Sequence, residues 1–296
     1  MDQRSAVVLR PPVEVMRPTA VPTLPSGPEW IFQPKLDGFR GCLFVLDGGR
    51  VVLQSRSGRN LSPDFPDLAA SLSAVLPVGT VLDGEICAAG PDGVLVFGEL
   101  LRSHRARRAA GISVSFTAFD LLAHAGRDHR TDPLEQRLED LLSVLTDTGP
   151  VVQPLLSTRD RGEALLWYEQ LVASGVEGIV AKDLHSRYRA AGAGRTWVKM
   201  RHSETQDAAV LALVGPLRRP EALLVELADG RREVTSPRLD SVQARQVVDA
   251  VSHGLRAPGD SEDDRAHWLT HALPAEVVVG SGRHGRVRFA RLRAAD

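Results

Sequence analysis

Gln33-Pro34-Lys35-Leu36-Asp37-Gly38-Phe39-Arg40 sets a lysine in a short turn, with Asp-Gly and then an arginine at fixed offsets behind it. Alternating apolar positions across Trp30-Ile31-Phe32 lead a strand into Lys35, and residues 41–46 and 50–54 around Asp47-Gly48-Gly49 predict a hairpin after it. Lys35 is thus expected between strands, one amine beside a second cation where a phosphate can approach. We read it as a covalent nucleophile. Its ordinary alternative is a solvated lysine in a polar turn.

Lysine usage elsewhere favours the first reading. Of 36 Lys and Arg residues, lysine stands only at 35, 182 and 199. Arginine stays protonated and cannot attack a phosphorus, whereas a lysine amine can lose its proton when burial or neighbouring cations disfavour the charge. The other two lysines also lie in patterned strands. Val176-Glu177-Gly178-Ile179-Val180-Ala181-Lys182-Asp183 embeds an acid and a lysine in an apolar run, and alternation in Trp197-Val198-Lys199-Met200-Arg201 puts Lys199 and Arg201 on one face. Two cations pointing the same way suit a phosphate.

At 296 residues, 43% hydrophobic and 25% charged, the chain is long enough for two domains with sizeable cores. A net charge of -1 excludes a globally basic nucleic-acid binder, so any basic surface must be local; arginines at 283, 286, 288, 291 and 293 are one candidate. Cys42 and Cys87 have no metal or disulfide spacing, which suits a reducing cytosol. There is no membrane-length apolar stretch and no signal-peptide core in the proline-rich first 25 residues. The expectation is a soluble cytoplasmic protein with no membrane contact.

In chain order, residues 1–27 read as an extended arm. Arg56 and Arg59 in Ser55-Arg56-Ser57-Gly58-Arg59 either grip phosphate bidentately or are solvated in a turn. After a helix over 64–76, the strand Val81-Leu82-Asp83-Gly84-Glu85-Ile86 buries acids, making Glu85 a ribose or metal ligand or, alternatively, an arginine's partner. In the strand at 114–120, strict alternation sets Phe116 and Asp120 opposite Phe119, and a phenylalanine there either stacks on a base or is core. Helices are expected at 133–145 and 161–174. From 203 onward, short strands at 208–214, 222–227 and 232–234, a helix at 242–251, an acidic loop at 260–265 and strands at 276–279 and 287–292 fit a small β-barrel.

Taken in order, K-L-D-G-F-R at 35–40, S-R-S-G-R at 55–59, L-D-G-E at 82–85, F-T-A-F-D at 116–120, E-G-I-V-A-K at 177–182 and W-V-K-M-R at 197–201 resemble the motifs of covalent nucleotidyltransferases. The chain is most similar to small bacterial ATP-dependent DNA ligases, including the ligase module of end-joining repair polypeptides. The resemblance implies an α+β fold: a nucleotidyltransferase (adenylation) domain of antiparallel sheets with flanking helices over 1–202, then a β-barrel OB-fold domain over 203–296. It implies a monomer that uses ATP and Mg²⁺ (or Mn²⁺) to seal nicked double-stranded DNA in repair, associated with the bacterial nucleoid. Lys35 would take AMP from ATP, the AMP would pass to a 5′-phosphate, and a 3′-hydroxyl would displace it. By the same likeness Gln33 would read the adenine edge, Arg40 and Arg56 would hold ribose and phosphates, Glu85 ribose or metal, and Phe119 would stack on adenine. Glu177 would bind the metal and Lys199 the α-phosphate.

Two departures stand out. Arg201 occupies the place of a second lysine, and its wider fork alters the contact. The family's terminal R-x-D-K becomes Arg293-Ala294-Ala295-Asp296, which keeps the arginine expected to help orient pyrophosphate but not the acid and lysine, so loading with ATP is expected to be slow. Gly280-Ser281-Gly282-Arg283-His284-Gly285 fits a dinucleotide fingerprint, but a strand pattern follows instead of a helix, so it is assigned to a hairpin turn. His267 and His271 at i, i+4 are read as a solvated or core helix face rather than metal ligands. Alternatives to the ligase reading are an RNA ligase, a capping-type guanylyltransferase, or a catalytically weakened nick-binding repair protein.

Overall fold

The computed structural model describes residues 7–190, 194–236, 238–251, 266–280 and 286–293. The acidic loop, most of the glycine-rich turn, Arg283 and the last three residues lie outside the described residues. The chain divides into two compact units, residues 1–201 and 202–296.

The first unit runs β1 (Thr19–Ala20), β2 (Trp30–Leu36), β3 (Phe39–Val45), β4 (Val51–Ser55), α1 (Pro66–Val75), β5 (Val81–Ala89), α2 (Phe97–Leu100), α3 (His104–Ala109) and β6 (Ser113–His124). It continues through β7 (Arg127–Asp128), α4 (Leu134–Val144), β8 (Val152–Pro154), α5 (Arg161–Gln170), β9 (Val176–Asp183) and β10 (Trp197–Arg201). One sheet has the order β1-β10-β9-β2; the other follows β4-β3-β5-β6-β7, with β8 added in parallel to β6. Lys35 therefore lies within β2 and not in a turn, because β2 keeps pairing with β9 through Leu36. Pro34 is tolerated there because β2 is an edge strand of its sheet. Helix α5 ends at Gln170, earlier than expected, with a 3-10 turn and left-handed Gly175 before β9.

Each sheet has a distinct outer support. Phe32, Ile179, Ala181, Val198 and Met200 pack with Ala164, Trp167 and Tyr168 of α5. Leu43, Leu53, Leu82 and Phe116 pack with Leu68 and Leu72 of α1 and Leu141 of α4. The inner faces share a third cluster, in which Ile31 and Trp197 of one sheet join Phe44, Val52 and Leu122 of the other. The arm contributes Leu9, Val13, Val15 and Met16 to this cluster. Gln54 fixes the arm by accepting from Val13 N at 2.8 Å and donating to Val13 O at 2.7 Å.

A buried ion pair ties α4 to β6. Arg137 and Asp120 are both 0% exposed, with Nε–Oδ1 and Nη2–Oδ2 bonds of 2.7 and 2.9 Å, and Nη1 donates to the Asp132 and Ser186 carbonyls.

The second unit has β11 (Ser203–Val214), β12 (Ala222–Leu227), β13 (Arg232–Val234), α6 (Ser241–Val251), β14 (Ala266–Gly280) and β15 (Val287–Leu292), in a five-stranded sheet ordered β13-β12-β11-β14-β15. Its core gathers Val210, Leu223, Val225, Val277 and Phe289 with Val247 and Val251 of α6. β14 and β15 pair antiparallel. β14 begins ten residues before the expected strand at 276, because its early part pairs with the far end of β11. His267 and His271 therefore lie in a strand, not on a helix; His267 pairs with Leu213, and His271 falls where the β11–β14 register shifts. Among the described residues no helix is long and apolar enough to cross a membrane.

Arg137→Met leaves Asp120 as an unpaired buried charge, and the expected loss is about 3–5 kcal/mol in urea unfolding. Arg137→Met combined with Asp120→Leu is expected to recover most of it; a loss below about 1 kcal/mol for the single variant would show that the pair does not anchor α4.

Candidate functional site

The site begins with an irregularity between β2 and β9. Lys35 pairs with Gly178, but the next pair is Leu36 with Val176, so Glu177 is an extra residue on β9. A bulge re-aims a side chain. Here the Glu177 carboxylate, 4% exposed, forms an ion pair with Lys35 Nζ, itself 20% exposed, and lies 3.5 Å from Arg201 Nη2. Gly178 has no room for a side chain: a Cβ would sit 2.1 Å from the Met200 carbonyl oxygen, at φ +152°.

Pairing across the three strands aligns Gln33, Val180 and Lys199 in one row and Lys35, Gly178 and Arg201 in the next. Residues in such a row face the same side. Burial, helped by Arg201, Lys35 and Arg56, pulls the Lys199 ammonium down to about 8. Arg56 reaches this group from the turn after β4, where Gly58 is left-handed. Arg59 turns away to Asp64 at 2.9 Å, so the two arginines of that turn do not act together.

The facing sheet supplies acids. Of the two in β5, Asp83 takes the arginine, accepting from Arg40 Nε at 3.0 Å and Nη2 at 2.6 Å and from Tyr188 OH at 2.7 Å. Burial opposes the Arg40 charge, but Asp83 outweighs it and holds the guanidinium above its ordinary pKa. Arg40 is thereby committed to Asp83 rather than extended freely toward ligand. Glu85, pushed up to about 7 by burial against the pull of Lys35 and Arg40, stays beside the lysine. Asp37 is raised to about 6, first by burial and then by Glu177, to which it hydrogen-bonds. Its neighbour Gly38 lets the chain pass: a Cβ there would meet Ile86 O at 2.4 Å and Glu85 Cγ at 2.7 Å.

Phe119 is aimed by a second bulge. Asp83 pairs with Asp120 and Gly84 with Ala118, leaving Phe119 unpaired and breaking the strict alternation expected of β6. Lys182 Nζ donates to the Phe119 carbonyl at 3.0 Å and lies 4.3 Å from the Phe119 ring centroid and 4.0 Å from that of Trp197. Burial draws the Lys182 ammonium down to about 7, with Asp120 and Asp83 opposing. Arg40 also lies against the Phe119 ring, its Cζ 5.3 Å from the centroid.

Gln33, Lys35, Arg56, Glu85, Glu177, Lys199 and Arg201 are thus brought to one place, with Arg40 and Phe119 bordering it. Gln33 is 1% exposed and its Oε1 has no hydrogen-bond partner. Arg293 belongs to the second unit, where it pairs with Asp207 at 2.8 Å and Glu276 at 3.1 Å. Sequence reasoning gave no role to Asp37, Asp83, Arg137 or Tyr188. The signal for Arg137 was present: with Leu134, Leu138 and Leu141 it lies on the buried stripe of α4. Tyr188 carried none.

Among the described residues no group of three or more His, Cys, Asp or Glu is placed to hold a metal by itself. Glu177 and Glu85 nevertheless fit Mg²⁺, which prefers oxygen donors and is usually held by one or two carboxylates together with substrate phosphates.

A family model described as "ATP dependent DNA ligase domain" matches residues 18–201. DNA ligase C2 of Mycolicibacterium smegmatis is 36% identical over 206 residues, covering 68% of this chain and 56% of that protein. DNA ligase C of Mycobacterium tuberculosis is 33% identical, covering 68% and 57%. The chain spans little more than half of these relatives. The crystal structure of the ligase domain of M. tuberculosis LigD aligns with a TM-score of 0.56 at 25% identity, covering 94% of this chain and 95% of that one. The second unit is OB-fold-like in this company.

With three lysines in the chain, ¹³Cε-lysine NMR can follow each one. Lys199 is expected to titrate near 8, and Arg201→Met to move its midpoint upward by removing the neighbouring charge. A Lys199 midpoint above 10 in the parent protein would contradict the site's electrostatics.

Proposed function

The chain belongs to the family of ATP-dependent DNA ligase domains, and from that premise we propose that it seals nicks in double-stranded DNA through AMP carried on Lys35. The observation that carries the reading is the Lys35–Glu177 pair at a bulge, flanked by Lys199 and Arg201 on the same face. A primary amine held at a fixed point beside two further cations is what in-line attack on a phosphorus requires.

Lys35 Nζ, once released from Glu177 and relieved of a proton, attacks the α-phosphorus of ATP. The N–P bond forms as the bond to pyrophosphate breaks. A DNA 5′-phosphate oxygen then attacks the same phosphorus and frees the amine, and a 3′-hydroxyl displaces AMP to close the strand. Lys199 binds the α-phosphate, and Arg56, across from it, binds the phosphates further out. Phe119 covers one face of the base, and Gln33 Oε1, buried without a partner, accepts from the adenine amine. Arg40, clamped by Asp83, acts at the ribose end mainly as a fixed wall. Glu177 and Glu85 would hold Mg²⁺ or Mn²⁺, which would supply charge neutralisation on the phosphates. We assign Arg293 to pyrophosphate orientation and the protein to repair as a monomer.

Lys35→Ala is expected to abolish the gain of one AMP seen by intact mass after incubation with ATP and Mg²⁺, since it removes the amine assigned to carry the nucleotide. An AMP adduct surviving denaturation on that variant would refute the assignment. GTP and nicked RNA, run in parallel, are expected to fail; preference for either favours a guanylyltransferase or an RNA ligase.

Because the terminal motif lacks its acid and lysine, single-turnover sealing of a pre-adenylated nick is expected to be less impaired than loading with ATP. Equal slowness in both steps would count against that role for the terminus.

A further inference from the structure

Behind Gln33 lies a cavity of about 170 Å³, bounded by Ile31 and Gln33 of β2, Leu138 and Leu142 of α4, and Pro154 and Leu155. Its walls are mainly apolar, and Glu135 and Arg159, paired across 24 residues of sequence and both well exposed, mark its wet end. The buried Oε1 of Gln33 is left without a donor. An unmade hydrogen bond at a buried acceptor is unfavourable, so the atom invites a donor from a ligand.

We infer that the nucleotide site is open behind the base and accepts adenine nucleotides substituted at N6, with an apolar substituent lying in this cavity. The inference rests on the reading of Lys35 as the AMP acceptor and of Gln33 as the residue facing the base. The adenine exocyclic amine has two hydrogens. Replacing one with a benzyl group leaves the other for Gln33 Oε1 and directs the new group past Gln33, toward Leu138 and Leu142. The volume is adequate: an apolar cavity of about 150 Å³ takes up benzene. The chemistry at phosphorus is unchanged. The Nζ–P bond forms, the bond to pyrophosphate breaks, the Nζ proton leaves to solvent, and the substituent takes no part. A site closed behind the base would reject the added ring, because packed interiors do not absorb such a volume.

The test uses the full chain with Mg²⁺ and either ATP or N6-benzyl-ATP, read by intact mass, together with calorimetric titration of adenosine and N6-benzyladenosine. Leu142→Trp, at a position 57% exposed, fills the cavity from its rim without burdening the core; Leu138→Phe fills it from within. The parent protein is expected to gain the mass of N6-benzyl-AMP at a rate comparable to AMP, and to bind the benzylated nucleoside about tenfold more tightly than adenosine. Both filled variants are expected to lose these advantages while still loading AMP. If ATP loads and the analogue does not, the inference is overturned and the role of Lys35 stands. Should the analogue load equally well in both filled variants, its ring faces solvent and the inference is again overturned. If neither nucleotide loads, the Lys35 reading fails separately and the titrations decide: tighter binding of the benzylated nucleoside that Leu142→Trp removes supports the cavity, and equal or weaker binding overturns it.

Discussion

One extra residue in the pairing of β2 with β9 sets the terms for the rest of the first unit. Without the bulge, Glu177 would alternate onto the face packed by α5, and an ionised carboxylate there would have no partner. With it, the carboxylate meets Lys35, Arg201 and Asp37 on the inner face. Gly178 makes the arrangement sterically possible, because any Cβ at that point would run into β10. Amine, acid and second cation are therefore held by backbone geometry rather than by flexible side-chain choices. That is how a few polar groups can be kept in register between two apolar layers.

The inner faces carry more buried charge than a core of this size usually tolerates, and each charge is answered differently. Arg40–Asp83 and Arg137–Asp120 are two-pronged pairs, and Tyr188 OH supplies Asp83 with a further donor. Lys182 instead rests on two aromatic rings and one carbonyl, an environment that tolerates an ammonium less well than a carboxylate partner does. Burial accordingly lowers its pKa toward neutrality. Breaking one member of these pairs exposes the desolvation cost of the other, so their effect is on geometry more than on net stability. What they fix in place is the backbone around Phe119 and Glu85.

The arm before β1 belongs to this arrangement. Val13 is held by both ends of the Gln54 amide, and Met16 N donates to the same Tyr188 oxygen that donates to Asp83. A chain of hydrogen bonds thus runs from the arm through Tyr188 and Asp83 to Arg40. On the other side of the site, the polar face gives way behind Gln33 to an apolar cavity under α4. The Gln33 end is consequently the less tightly enclosed part of the site, while the Lys35 end is crowded with charge.

Much of this was legible along the chain. The restriction of lysine to three positions, the acids inside apolar strands and the order of the short motifs are local facts, and they single out Lys35, the fold class and the order of most strands and helices. Local periodicity is a property of neighbouring residues, so it survives reading without coordinates. It assumes unbroken alternation, however, and failed at Phe119, aimed by a bulge, and at His267 and His271, whose i, i+4 spacing suits a helix but lies in β14; the bulge that turns Glu177 inward leaves no mark in the spacing. Which of Asp83 and Glu85 takes Arg40, how Arg137 reaches Asp120, and where Tyr188 comes in were decided only by folding. Those contacts join residues 17 to 105 positions apart, and no spacing rule spans such distances.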